Sequence, residues 1–171
     1  MKRWIIISLF ITVVIVITIA FLPVSKEEGE MVFPEWRQHY KLTPEIIKSD
    51  AHNAYVEIYL NDKAKDSYIK AEPRFKEGSE VFKPLYADPQ GKHIARLVIM
   101  VKMYDGYDSD NGDWWYGVYD KSGTKMWYEG RIPECIDCHA MAKETDYLFA
   151  RSVMKKIRGI DTNEFEEYLK D

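Results

Sequence analysis

The chain has 171 residues, 46% of them hydrophobic and 30% charged, and its 28 Asp+Glu against 24 Lys+Arg give a net charge of −4. That length suits one domain with a leader, and the acidic balance speaks against nucleic acid or an anionic membrane surface as a partner. Two cysteines are too few for a disulfide scaffold.

Met1-Lys2-Arg3 makes a basic start, and Trp4 to Val24 carries no charge. As a helix rising about 1.5 Å per residue this run is about 31 Å long, enough to cross a hydrocarbon core of roughly 30 Å. A cleavable signal would end at a small-residue site such as Ala-x-Ala, and Thr18-Ile19-Ala20-Phe21-Leu22-Pro23 lacks a good one. Residues 1–24 are therefore read as an uncleaved anchor in the inner membrane, with secretion after signal cleavage as the alternative. The basic end stays in the cytoplasm, and the rest is exported to the periplasm or its equivalent. Residues 25–40, opening with Ser25-Lys26-Glu27-Glu28-Gly29-Glu30, form a linker and lead-in, and 41–171 form one domain. Removing Lys2 and Arg3 leaves 22 cationic against 28 acidic residues, a charge of −6, which suits a basic redox partner and solubility equally.

Alternation predicts a strand over Ala54 to Leu60, and Asn61-Asp62-Lys63 then caps a short helix to about Lys70. Glu80 to Tyr86 reads as a strand interrupted late by Pro84, with Val81, Lys83 and Leu85 on one face. Ile94 to Met103 is the most apolar run of the soluble part and is expected as a central strand. Trp114 to Tyr119 and Lys125 to Tyr128 suggest a hairpin around Lys121-Ser122-Gly123. Helical spacing of Tyr147, Leu148, Arg151, Met154 and Arg158 predicts a helix from Thr145 to Arg158, stopped by Gly159, and Thr162-Asn163 starts a last short one. The expected fold is α+β: an antiparallel β-sheet with helices at its ends.

Between hairpin and helix lies Cys135-Ile136-Asp137-Cys138-His139, and both cysteines of the chain fall within it. This is the attachment motif of a c-type haem: the two thiols add to the haem vinyl groups, and His139 is the proximal iron ligand. A zinc site would need two further ligands at suitable spacing, while His39, His52 and His93 are scattered singly. A thioredoxin-like pair should open a helix after a buried strand, whereas Pro133-Glu134 precedes this one in a loop-like stretch. One covalent haem c on a late loop is the expectation. Its attachment on the exported side of a membrane agrees with the N-terminal reading.

Several further blocks resemble the cytochrome P-460 family, which includes cytochrome c′-beta. Phe75-Lys76-Glu77-Gly78-Ser79-Glu80-Val81-Phe82-Lys83 is similar to its "aromatic, x, acidic, Gly, Ser, x, apolar, apolar, Lys" pattern. Ile99-Met100-Val101-Lys102 followed by Asn111-Gly112-Asp113-Trp114 resembles its "Met-Val-Lys … Gly-Trp" block. Ile58-Tyr59-Leu60-Asn61 with Ala64 precedes these, and Asp146-Tyr147-x-Phe149 follows the haem motif, so the resemblance spans about residues 52 to 150. It implies a β-sheet cytochrome, a homodimer, with five-coordinate iron. One branch oxidises hydroxylamine and carries a lysine bonded to the haem edge; the other, cytochrome c′-beta, lacks that bond and binds nitric oxide or carbon monoxide.

By this alignment Lys83 is the candidate crosslinking or distal residue, with Lys70 and Lys76 behind it. Phe82, Trp114 and Met100 are candidate pocket residues. Trp115, Tyr116, Tyr119, Trp127 and Tyr128 are further aromatic walls or core, as are Phe75 and Phe149. Hydroxylamine-oxidising members are expected to have a distal carboxylate as proton acceptor. After Met100-Val101-Lys102 this chain has Met103 and Tyr104, with Asp105 only beyond, and its Gly112-Asp113-Trp114-Trp115 is less regular than Gly-Trp. Both departures weigh against the enzymatic branch. Candidates for a sixth iron ligand are His39, His52, His93, Met100, Met103, Met126, Met141 and Met154, and the resemblance favours an open site instead. The expected ligand is a small nitrogen oxide or hydroxylamine-like molecule, and the expected partner a redox cytochrome.

Overall fold

Ile94–Lys102 forms the longest strand among the described residues, β6, and neighbours on both sides organise around it. The computed structural model describes Phe33, residues 35–70 and residues 72–159. The expected membrane anchor, most of the linker and the last helix from Thr162 lie outside the described residues, among which no helix is long and apolar enough to cross a membrane. In chain order the strands are β1 (Tyr40–Lys41), β2 (Ile47–Ser49), β3 (Ala54–Val56), β4 (Tyr59–Leu60), β5 (Glu80–Tyr86), β6, β7 (Trp114–Tyr119) and β8 (Met126–Gly130). Helix α1 (Asp62–Tyr68) follows β4, while α2 (Pro133–His139), a 3₁₀ turn (Ala140–Thr145) and α3 (Ala150–Arg158) follow β8.

All strand pairs are antiparallel, in the order β1-β4-β5-β6-β7-β8, with β3 joining β2 and β5 off that path. The protein is thus α+β with an antiparallel sheet, as its alternating patterns require. Asn61 caps α1 as its sequence predicts: its side-chain oxygen accepts from the Ala64 amide at 3.0 Å.

The expected strand Ala54 to Leu60 is divided. Tyr55 and Val56 pair with Tyr86 and Leu85, and Tyr59 and Leu60 pair in the same register with Phe82 and Val81. Glu57 and Ile58 between them face Pro84 and Lys83, where proline has no N–H to offer the ladder. The Ile58 amide instead donates to Thr43 Oγ1 at 3.1 Å, and its carbonyl accepts from Leu42 N at 2.8 Å. Pro84 therefore interrupts its neighbour and not its own strand, which runs unbroken from Glu80 to Tyr86.

The helix expected from Thr145 starts at Ala150. Asp146 and Tyr147 have positive φ (53° and 64°), a conformation no α-helix contains. Tertiary bonds hold them there: Asp146 Oδ2 accepts from Phe75 N at 2.8 Å, and Tyr147 donates its hydroxyl to the Asp110 carbonyl at 2.8 Å. Gly112 makes room for that ring, since a Cβ there would lie 2.3 Å from Tyr147 Cδ2.

Alternation sorts the sheet into two unlike faces. Phe82, Leu97, Ile99, Val101, Trp115 and Tyr119 point one way and pack with Phe33, Trp36 and Tyr59. The rings meet edge to face, Phe33 with Phe82 at 5.9 Å and Trp36 with Tyr59 at 4.7 Å. Val81, Met100, Trp114 and Tyr116 point the other way, toward α1, Tyr147, Leu148 and Met154 of α3, with Cys135 and Ile136 of α2 against them.

Candidate functional site

The Cys135-to-His139 motif lies on helix α2, where the sequence suggested a loop. Pro133, read as loop-forming, is its first residue; proline suits that position because its fixed φ is helical and its missing N–H would have no partner there. Ile132 ends the lead-in from β8, and the Ile136 amide closes the first turn on its carbonyl at 3.0 Å. One helical turn thus separates Cys135 from Cys138, and His139 closes the helix facing inward, 6% exposed.

After His139 the chain reverses through the left-handed pair Asp146-Tyr147, and the Tyr147 carbonyl comes 2.6 Å from His139 Nδ1. A carbonyl only accepts, so Nδ1 carries the proton and Nε2 keeps a free lone pair. The rings of Phe149 and Tyr116 flank the imidazole at 5.4 and 5.6 Å. Burial, then the nearby Lys83 cation, pushes the His139 pKa down to about 4 against the opposing pull of the Tyr147 carbonyl, so the ring is neutral at neutral pH.

Two cavities meet at this histidine. The first, ≈140 Å³, lies between α2 and the sheet, with Val81, Val98, Met100, Tyr116 and Val118 as walls and Cys135 at its rim. The second, ≈250 Å³, lies between the β2–β3 connection and α3, lined by Val56, Phe149 and Val153 with Cys138. His52, Lys83 and His139 line both. Lys83 is 8% exposed on the same face as Val81, and burial lowers its pKa to about 8 despite the nearby Cys138 sulfur. His52 is held down to about 3 by burial and then by Lys83, His139 and Arg96; its Nδ1 is 2.8 Å from Ser49 Oγ.

The candidate residues divide sharply. Met100 and Lys83 reach the cavities together with Cys135, Cys138 and His139. Phe82 points to the opposite face, stacked on His39 at 4.8 Å, because neighbours along a strand alternate. Trp114 shares the face of the cavities but lines neither; it is buried against Phe75, and its Nε1 donates to the Asp146 carbonyl at 2.9 Å. Lys70 and Lys76 are exposed and line neither cavity. Of the sixth-ligand candidates only His52 and Met100 line a cavity: Met154 lies in the core, Met103 and Met126 pack on the aromatic face, Met141 is 72% exposed, and exposed His93 pairs with Asp88. The bond from His139 to Tyr147 was not legible in sequence, because it depends on a turn that only tertiary contacts hold.

The cytochrome P460 family model matches residues 33–150, a span holding every described strand, helix α2 and the turn behind His139. The chain belongs to the cytochrome P460 family. Comparison with curated proteins gives no match. Membership implies a haem cofactor, and the residues of this cytochrome fit one: two thiols a helical turn apart, an imidazole with its outer nitrogen free, and apolar cavity walls. The Tyr116 hydroxyl also fits, being buried in the wall of the first cavity with no hydrogen-bond partner among the described residues. A buried hydroxyl in that state calls for a further occupant of the cavity.

Proposed function

We propose that this cytochrome P460 family member is an exported c-type cytochrome, with one haem bonded through Cys135 and Cys138, His139 on the iron and the opposite position open to a small nitrogen species. The haem supplies one-electron redox chemistry at an iron that hydroxylamine or nitric oxide can reach. The apolar side chains Val81, Val98, Met100 and Val118 line the first cavity beside His139. Lys83 is the observation that carries this reading: a buried amine of pKa about 8, beside Cys138 and His139, holds and releases a proton near neutrality. In the hydroxylamine-oxidising branch the same amine would instead be bonded to the haem edge, in place of the free proton carrier. His52, held neutral at neutral pH, lines the same cavities as an uncharged polar wall.

A second reading, a cytochrome c′-beta type that binds nitric oxide or transfers electrons without catalysis, draws support from the first cavity, whose lining includes neither Asp nor Glu. The visible spectrum and intact mass of the holoprotein, followed by peptide mapping, separate the two. A haem peptide joining Lys83 to Cys135–His139 supports hydroxylamine oxidation. An unmodified Lys83 peptide recovered in full favours the gas-binding protein.

The uncharged run Trp4 to Val24 supports anchoring in the inner membrane with the domain outside the cytoplasm. The homodimer and the partner cytochrome that takes up electrons rest on the family resemblance. Fractionation tests the anchor: full-length protein in the membrane fraction is expected, and a soluble product starting near Phe21 would show signal cleavage.

A further inference from the structure

We propose that Lys102 and Asp146 form a lock between the central strand and the turn behind His139, and that this lock holds the Tyr147 carbonyl against the imidazole and so sets the reduction potential of the haem. This rests on the reading of His139 as the iron ligand. Asp146 and Tyr147 are consecutive non-glycine residues with left-handed backbone. Such a pair persists only where its surroundings over-determine it.

Two strands and the segment leading into a third supply that constraint. Lys102, the last residue of β6, donates Nζ to Asp146 Oδ1 at 2.7 Å. Phe75, in the segment leading to β5, donates its amide to Oδ2 at 2.8 Å. Trp114, the first residue of β7, donates Nε1 to the Asp146 carbonyl at 2.9 Å. The Lys102 and Asp146 side chains are only 12% and 10% exposed, so water and salt screen their attraction weakly. Tyr147 is pinned in turn by its amide on the Ala142 carbonyl and its hydroxyl on the Asp110 carbonyl, both at 2.8 Å.

Together these bonds fix Asp146 and Tyr147, and the Tyr147 carbonyl lies 2.6 Å from His139 Nδ1. A hydrogen bond from Nδ1–H to a fixed acceptor orients the ring and strengthens Nε2 as a donor. A stronger axial donor favours ferric over ferrous iron and lowers the potential. Asp146 and Lys102 line neither cavity, so they act through Tyr147 and His139 as positioning residues.

The test is Asp146→Asn in the holoprotein, read by spectroelectrochemistry and by the iron–histidine stretching band of the ferrous form in resonance Raman. Asparagine keeps an acceptor for Phe75 N and loses the charge facing Lys102. The band is expected to move to lower frequency, and the ferrous-to-ferric ratio at fixed solution potential to rise about three- to tenfold, where tenfold is ~59 mV for a one-electron couple. Lys102→Arg, which keeps the cation, is expected to retain the native band and ratio. Should Asp146→Asn fail to fold, Lys102→Gln leaves the Phe75 and Trp114 bonds in place and is read the same way. An unchanged band and ratio in a folded, haem-loaded charge-removing variant overturns the lock alone. A native holoprotein with no iron–histidine band overturns instead the five-coordinate iron bound by His139 on which the proposed function rests.

Discussion

The two faces of the sheet are built from neighbouring residues of the same strands, yet only one leaves polar groups in need of company. Phe82, Trp115 and Tyr119 on the aromatic face close against Phe33, Trp36 and Tyr59, and His39 stacks on Phe82. Their immediate neighbours Lys83 and Tyr116, on the opposite face, are just as buried but border cavities, Lys83 with a depressed pKa and Tyr116 with an orphaned hydroxyl. Burying an amine and leaving a hydroxyl without a partner each costs desolvation, which packing alone does not offset. The contrast agrees with the proposed haem site on the second face.

The most severe way to break that contrast is to remove the attachment. Changing both Cys135 and Cys138 to serine is expected to abolish haem retention under denaturing conditions, as seen by haem staining or mass spectrometry. Haem c that survives denaturation in the double variant sinks the attachment reading. On the other face, Phe82→Ala is expected to cost about 3–5 kcal/mol in denaturant unfolding, since a ring with no exposed surface is deleted from a packed core. It should leave covalent haem attachment intact; loss of attachment together with stability would erase the distinction between the faces.

Lys83→Met sharpens the comparison one residue away. In the haem-free double-serine background the lysine is harder to protonate folded (pKa about 8) than unfolded (10.5), so the unfolded state binds more protons between those values. Wild-type Lys83 therefore destabilises the haem-free fold below pH 8, and that penalty fades as pH rises to 10.5. Relative to Lys83→Met, the Lys83 protein should gain up to about 3 kcal/mol across this window, measured by urea unfolding at each pH. A constant difference across the window would place the amine in water.

Gly112→Ala has the smallest expected effect, about 1–3 kcal/mol of stability, from a Cβ at φ 72° driven into the Tyr147 ring. Because that ring helps hold the turn behind His139, a shifted iron–histidine band should accompany the loss. Native stability and band would show that the close approach is not needed.

By itself the sequence determined the local pattern: antiparallel strands from period-two alternation, the Asn61 cap, the hairpin before the motif, and the grouping of Cys135, Cys138 and His139 on which the proposed haem attachment rests. Each depends on residues a few positions apart, where spacing fixes geometry. Alternation also put Lys83 beside Val81, and applied to Phe82 it would have turned that ring away from the cavities. Only the tertiary structure decided the rest. Pro84 broke the neighbouring strand and not its own, because a missing N–H is felt by whichever strand it would have served. Pro133 opened a helix where a loop was expected, because a helix needs no N–H from its first residue. The predicted helix yielded its first turn at Asp146 and Tyr147, because bonds from Phe75, Lys102 and Trp114, each more than thirty residues away in the chain, outweighed local helical preference. The acceptor that orients His139 lies on that turn.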